Sequence, residues 1–158
     1  MISKDSSDHF IRTYGDLLYD LCESILQTPT HAQLAFRSIL KQIHSESRFQ
    51  KFCEYERSWV LRIACKKIIN LSQKYGRRVS PEDQIKVDAK ETIENRFEQF
   101  DTFFNRLMPE DQILLILKDK HGIPFPEISS AMVTPVGSLK MKRQQALRTL
   151  EEWLWNTA

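Results

Sequence analysis

The chain has 158 residues, which suits one domain or two small ones, and its 41% hydrophobic and 28% charged residues are typical of a globular protein. Only four glycines and six prolines are present, which disfavours a loop-rich or sandwich fold. No apolar stretch approaches the ~20 residues that cross a bilayer, and the polar opening residues do not resemble a secretory signal. The three cysteines are widely spaced, with no CxxC pair, as expected in a reducing compartment. We therefore expect a cytoplasmic protein without a membrane partner.

Charge is distributed unevenly along the chain, although the total is only +2. Residues 53–80 carry seven basic and two acidic groups, net +5, whereas residues 81–112 carry four and nine, net −5. A basic segment of this kind can contact a nucleic-acid backbone. It is equally consistent with a solvated helix face beside an acidic linker, and charge alone leaves both interpretations open.

Apolar residues recur at steps of three and four along most of the chain, which predicts an all-α fold. The sets lie within residues 10–25, 32–43, 60–75 and 97–107. The Thr-Pro-Thr sequence at 28–30 separates the first helix from the second, and the mixed polar residues 44–56 indicate a loop. We predict two small helical domains, residues 1–78 and 96–158, joined by a linker over 79–95. Gly76 is suited to end the third helix, and Ser80 with Pro81 is suited to begin another.

The C-terminal third carries the most specific pattern. A helix begins at Met108-Pro109-Glu110-Asp111, continues to Lys120, and is ended by the sequence HGIP at 121–124. Residues 125–132 predict a two-turn helix, and Val133-Thr134 predicts a tight turn. Thr134 as N-cap and Pro135 as first residue then predict a long helix to about Trp155.

This order of elements predicts a helix-turn-helix, whose second helix enters the DNA major groove. An ordinary helical hairpin is the alternative. The spacing directs five residues inward, namely Ile128, Met132, Val136, Leu139 and Leu150. It directs another five outward, namely Ser138, Lys140, Met141, Lys142 and Gln145.

Residues 107–150 resemble the promoter-binding C-terminal domain of small sigma-70 family factors of the extracytoplasmic-function type. The matching segments are the LMPE helix start, GIPFPEIS at 122–129 and PVGSLK at 135–140. ERSWVLRIACKKIINLSQKYGRR at 56–78 is similar to the family's Trp-Leu-Tyr-Arg-Ile-Ala helix, which opens the −10 promoter element. Residues 14–44 stand where the two preceding helices of the family belong. The resemblance implies an initiation factor that binds core RNA polymerase and promoter DNA, with an anti-sigma factor as a further candidate partner.

The resemblance implies three sets of contact residues. The −35 element would be contacted by Ser138, Lys140, Met141, Lys142, Arg143 and Gln145. The −10 element would be contacted by Phe52, Tyr55, Trp59, Arg62, Lys66 and Lys67, because aromatic and cationic groups suit unstacked bases and a single-stranded backbone. The polymerase would be contacted by Gln33, Leu34 and Arg37. For each aromatic residue of the second set, a place in the hydrophobic core is the alternative.

The chain departs from the family pattern in several places, including residues 31–35, Val133 and Arg143. Residues 31–35 are HAQLA where the family carries an acidic run that grips the polymerase, so charge complementarity is lost there. Val133 stands in place of a turn glycine, and a β-branched residue is poor at positive φ. Arg143 stands at an aliphatic position, so either its side chain extends outward or the helix is rotated.

These observations leave three hypotheses: a sigma factor, a DNA-binding regulator with the sigma fold, and a sigma mimic that acts through a protein partner. The sequence has no P-loop, no GxGxxG and no HExxH motif. We therefore expect no enzymatic activity, no catalytic residues, no metal and no cofactor.

Overall fold

The computed structural model describes residues 4–46, 55–75 and 100–156, and every regular element in these ranges is helical. The all-α prediction is therefore confirmed. The elements are α1 (Lys4–Leu26), α2 (Pro29–Glu46), α3 (Glu56–Tyr75), α4 (100–104), α5 (Pro109–Leu115), a π-helical turn (Ile116–Lys120), α6 (Phe125–Met132) and α7 (Val136–Asn156). Within these ranges, no helix is long and apolar enough to cross a membrane. The predicted helix start at Ser80 and the linker over 79–95 fall outside the described residues, as does Gly76.

The break between α1 and α2 lies where the sequence predicts it. Gln27 has a left-handed backbone, with φ of 63°, and Pro29 is the first residue of α2. Proline suits that position because it needs no hydrogen-bonded amide there and its φ is already helical. The sharp reversal brings α1 and α2 side by side, and both pack on α3.

A single hydrophobic cluster joins the N-terminal helices to the C-terminal ones. It contains fully buried residues of the first three helices, including Leu18, Ile39 and Ile68, together with Leu117 and Ile128 from beyond residue 100. The principal contact between the two parts is α3 against α6. A second, smaller cluster lies between α4, α5 and α7 and consists of Phe103, Leu107, Leu115, Ala146 and Leu150. The first three helices and α5 to α7 are therefore in direct contact.

The predicted helix over 125–132 is confirmed to the residue. Gly122, with φ of 66°, ends the preceding π-turn, and Val133, with φ of 51° and ψ of 49°, ends α6 in the left-handed region. The predicted N-cap role of Thr134 is wrong. Its hydroxyl donates to the carbonyl of Met132 at 3.0 Å, and α7 begins at Val136, one residue later than predicted. The left-handed Val133 accounts for this, because its amide and that of Thr134 both turn back to the Ser129 carbonyl.

One buried polar side chain connects α4 to α5. The Gln112 side chain is fully buried, and its Nε2 donates to the carbonyls of Phe104 at 2.8 Å and Leu107 at 2.9 Å. The Phe104 carbonyl is at the last residue of α4 and the Leu107 carbonyl lies just beyond it, where regular intrahelical partners run out. Gln112 therefore fixes the angle at which α5 leaves α4.

Candidate nucleic-acid interface

The first half of α7 presents a continuous exposed face. Leu139 and Leu150 are buried, and the five residues predicted to face outward are all exposed, with Met141 exposed at 62%. Met132 and Val136, predicted to face inward, are half-buried. No acidic residue occurs between Val136 and Leu150. The face thus combines cations, an amide and a large apolar side chain, which are groups able to contact base edges and phosphates.

Arg143 lies to the side of this face. Its Nε is 3.0 Å and 3.2 Å from the two carboxylate oxygens of Asp119, and its Nη2 is 2.5 Å from Oδ1. The hydrogen bonds that Arg143 donates to the Asp119 carboxylate raise the pKa of the guanidinium. The Arg143 side chain is 34% exposed and extends to the Asp119 carboxylate on the π-turn, which corresponds to the first of the two predicted alternatives, an outward side chain. Arg143 is thereby placed as a link between α7 and the π-turn.

Lys140 and Lys118 flank the ring of Phe125, at 5.8 Å and 4.7 Å from its centroid. Cations at this distance are attracted to the face of an aromatic ring. The contact draws Lys118 of the π-turn to the same side as Lys140 of α7. Sequence reasoning missed Lys118, because its place beside α7 depends on how the π-turn packs.

Sequence reasoning also missed two exposed residues further along α7, Gln144 and Arg148. They follow Met141 by three and seven residues, and residues with this spacing share one face of a helix. The signal was present in the sequence as helical periodicity. Burial raises the pKa of the Asp111 carboxyl, although the charge of Lys142 acts in the opposite direction.

The described residues that were predicted to contact the −10 element lie on α3 or directly before it, but they differ in exposure. Trp59 is only 5% exposed and packs on Phe10 with a ring separation of 5.8 Å, which favours the core alternative for this residue. Tyr55 is half-buried just before α3, and Phe52 lies outside the described residues. Lys66 is exposed and Lys67 is half-buried on α3. Trp59 is therefore unavailable for base stacking in this arrangement.

Arg62 points to α6. Its Nε and Nη2 donate to the carbonyl of Ser130 at 3.2 Å and 2.7 Å, and Nη2 lies 3.4 Å from the Ser130 hydroxyl. Ser130 is in the last turn of α6, where carbonyls lack intrahelical partners. Arg62 thus satisfies the end of a helix that is distant in sequence.

Two further side chains of α3 bind α6. Arg57 pairs with the carboxylate of Glu127 through two hydrogen bonds, Nε to Oε1 at 3.2 Å and Nη2 to Oε2 at 2.5 Å. The Ser58 hydroxyl donates to the Glu127 carbonyl at 2.8 Å. Ser58 is fully buried and Glu127 is 15% exposed. The polar row of α3 is therefore occupied by oxygen atoms of α6.

A second polar contact joins the π-turn to α1. Asp20 accepts from Lys120 Nζ at 2.8 Å and lies 2.7 Å from His121 Nε2. Burial of Asp20 opposes its charged form, but the hydrogen bonds from Lys120 and His121 outweigh burial and lower the pKa of this carboxyl. Asp119, Lys120 and His121 are consecutive, yet the first binds α7 and the other two bind α1.

The residues predicted to contact polymerase lie together on α2. Gln33, Leu34 and Arg37 are exposed, with Leu34 at 47%. Lys41 continues this stripe one turn further. The exposed stripe carries no acidic residue, and within the described ranges neither Arg37 nor Lys41 forms an ion pair.

The remaining features offer little reactive chemistry. Burial raises the pKa of both Cys22 and Cys65 to about 12, so neither thiol is a nucleophile at neutral pH. Burial and then a hydrogen bond to Glu56 raise the pKa of Tyr14. Among the described residues no group of three metal-ligating side chains converges. An open groove of about 760 Å³ between α1, α4 and α7 is lined by Glu23 and Asp101, which would repel a phosphate backbone.

Comparison of the sequence with protein-family models and with curated proteins finds no match.

Proposed function

We propose that this chain is a sigma-factor-like initiation factor that binds promoter DNA and core RNA polymerase. The proposal is supported by the arrangement of α6 and α7. The two helices are joined by residues 133–135, and α7 exposes a face from Ser138 to Gln145 that contains no acid. A helix pair with such a turn and such a face fits a DNA major groove.

In this proposal the side chains of α7 have different tasks. Met141 and Gln145, in the middle of the exposed face, would contact base edges, the first by apolar contact and the second by hydrogen bonds. Lys140 and Lys142 flank them and would bind phosphates, which fixes the helix in register. The protein itself performs no bond chemistry, since nucleotide addition belongs to the polymerase.

The DNA part of the proposal is tested by salt dependence. The logarithm of duplex affinity should fall linearly with the logarithm of salt concentration, in proportion to the phosphates contacted. Lys140→Ala with Lys142→Ala should lower the slope by about two if both residues bind phosphate. Arg12→Ala with Lys41→Ala removes the same charge from α1 and α2 and should leave the slope unchanged. If the unmodified protein and both double variants had equal salt slopes, α7 would not contact DNA phosphates.

The polymerase part is tested by a pull-down with purified core RNA polymerase. A stoichiometric complex that survives moderate salt supports the initiation-factor proposal. Absence of a complex, with the protein shown to be folded by circular dichroism, would contradict it.

A second candidate is a sigma-fold regulator or mimic that acts through another protein partner. It is favoured by the acid-free stripe of α2, because Arg37 and Lys41 would repel a basic surface on the polymerase. This candidate predicts no polymerase complex. Retained salt-dependent DNA binding would then indicate a regulator, and its absence a mimic.

A further inference from the structure

We propose that α6 acts as an internal competitor of nucleic acid: it occupies donor groups of α3 that otherwise bind a single-stranded backbone. The inference rests on the proposed function, and it concerns the regulation of the α3 site. The juxtaposition that carries it is a row of hydrogen-bond donors on α3, Arg57, Ser58 and Arg62, facing only oxygen atoms of α6.

The oxygen atoms of α6 resemble those of a backbone in their chemistry. Arg57 holds the Glu127 carboxylate through two parallel hydrogen bonds, which is also how a guanidinium binds a phosphate. Ser58 and Arg62 bind the main-chain carbonyls of Glu127 and Ser130. Each donor of the row could bind a phosphate oxygen in place of its present partner, because that partner accepts a hydrogen bond as a phosphate oxygen does. The row lies within the segment of net charge +5, residues 53–80, so anions are attracted to it.

Apolar contacts next to the row of donors explain why α6 stays bound to α3. Ile128 and Ala131 of α6 are buried in the cluster shared with the N-terminal helices, at 0% and 2% exposure. Displacing α6 therefore exposes apolar surface as well as breaking the hydrogen bonds. The open form is the minor one, and the apparent affinity for nucleic acid is reduced by its fractional population. A change that weakens only the α6 side should increase that population and tighten binding.

The ion pair between Arg57 and Glu127 allows a test with matched variants. Glu127→Gln and Arg57→Gln each remove one charge from the same ion pair, so a purely structural contact predicts that both weaken the attachment of α6. If Arg57 also binds the backbone, the two variants diverge. Glu127→Gln should bind a fluorescent single-stranded oligonucleotide roughly 3- to 10-fold more tightly than the unmodified protein, because the open population rises. Arg57→Gln should bind no more tightly than the unmodified protein.

Charge alone is controlled by two variants far from the row in sequence. Glu152→Gln and Arg12→Gln change the net charge by the same amounts at exposed positions of α7 and α1. Anisotropy titrations of all five full-length proteins, each shown to be folded by circular dichroism, measure the affinities. The proposal would be overturned if Glu127→Gln bound the oligonucleotide no more tightly than Glu152→Gln does. It would also be overturned if Arg57→Gln gained as much affinity as Glu127→Gln.

Hydrogen exchange gives an independent measurement. When the oligonucleotide is added to the unmodified protein, amides of residues 125–132 should exchange faster, because α6 loses its partner. Unchanged or slower exchange at saturating oligonucleotide would also overturn competition. These outcomes do not depend on polymerase or on duplex binding by α7, so the inference can fail while the proposed function stands, and the reverse.

Discussion

Val133 is a β-branched residue in a left-handed turn, and Val133→Gly should stabilise the protein. Its φ of 51° and ψ of 49° place it where residues other than glycine are strained. Relief of that strain is worth about 2 kcal/mol, in the middle of the usual range of 1–3 kcal/mol. The side chain is 77% exposed, so its removal loses little burial, about 0.4 kcal/mol.

The extra freedom of glycine in the unfolded chain costs a further ~0.7 kcal/mol. The net expectation is stabilisation by roughly 1 kcal/mol, which corresponds to a rise in Tm of about 2–4 °C for a chain of this size. Urea denaturation followed by circular dichroism measures the free energy of unfolding directly.

Two further variants isolate the cause. Val133→Ala keeps a Cβ atom but removes the branch, so it should fall between valine and glycine. Val136→Gly places the same change in the first turn of α7, where the backbone is helical, and should destabilise by about 0.5–1 kcal/mol. If Val133→Gly lowers stability as much as Val136→Gly does, the reasoning from left-handed strain is refuted.

Three other substitutions test contacts within the fold. Asp20→Asn should lower the free energy of unfolding by about 1.5–3 kcal/mol at pH 7. Because the pKa of Asp20 is depressed in the folded protein, its contribution to stability is full above the ordinary carboxyl pKa and is lost as pH falls through the lowered value. The free energies of unfolding of the two proteins, measured by urea denaturation, should therefore converge at acid pH. Gln112→Ala should cost about 2–4 kcal/mol, since it removes two buried hydrogen bonds and opens a cavity, whereas a cost below 1 kcal/mol by urea denaturation would contradict the buried hydrogen bonds. Gly137→Ala should stabilise α7 by about 0.5–1 kcal/mol in thermal melts, because nothing lies within 4 Å of the added methyl group, and a loss of stability would contradict the open space there.

The local structure was predictable where a short stretch of sequence determines it. Pro29 and the proline at 109 mark helix starts, and the spacing of Leu139 and Leu150 identifies the buried side of α7. These signals act over a few residues, so tertiary packing does not need to be known. Thr134 shows the limit of this reasoning. It was assigned as an N-cap from its residue type, but after the left-handed Val133 its hydroxyl donates to the Met132 carbonyl.

The partners of the candidate site residues were not predictable, because they come from distant segments. Arg62 was assigned to the −10 contact set because it is a cation on the helix that resembles the family's −10 helix, yet its hydrogen bonds go to Ser130, 68 residues away. Arg143 was assigned to DNA contact, yet it pairs with Asp119, 24 residues away. A charge pattern in the sequence indicates that a side chain will form polar contacts. It does not show whether the contacting group belongs to the same chain or to another molecule.

The π-turn at Ile116–Lys120 makes the chain sensitive to length at that point. The amide of His121 bonds to the carbonyl of Ile116 at 3.1 Å, five residues back, so this turn holds one residue more than an α-helical turn would. Deleting a single residue there would restore α-helical spacing and rotate the following side chains by about 100° around the axis. The contact of Asp119 with α7 and the contacts of Lys120 and His121 with α1 could then not form at the same time. A one-residue deletion in this turn should therefore be more damaging than any single substitution in it, and the attachment of both neighbouring helices depends on residue count as well as residue identity.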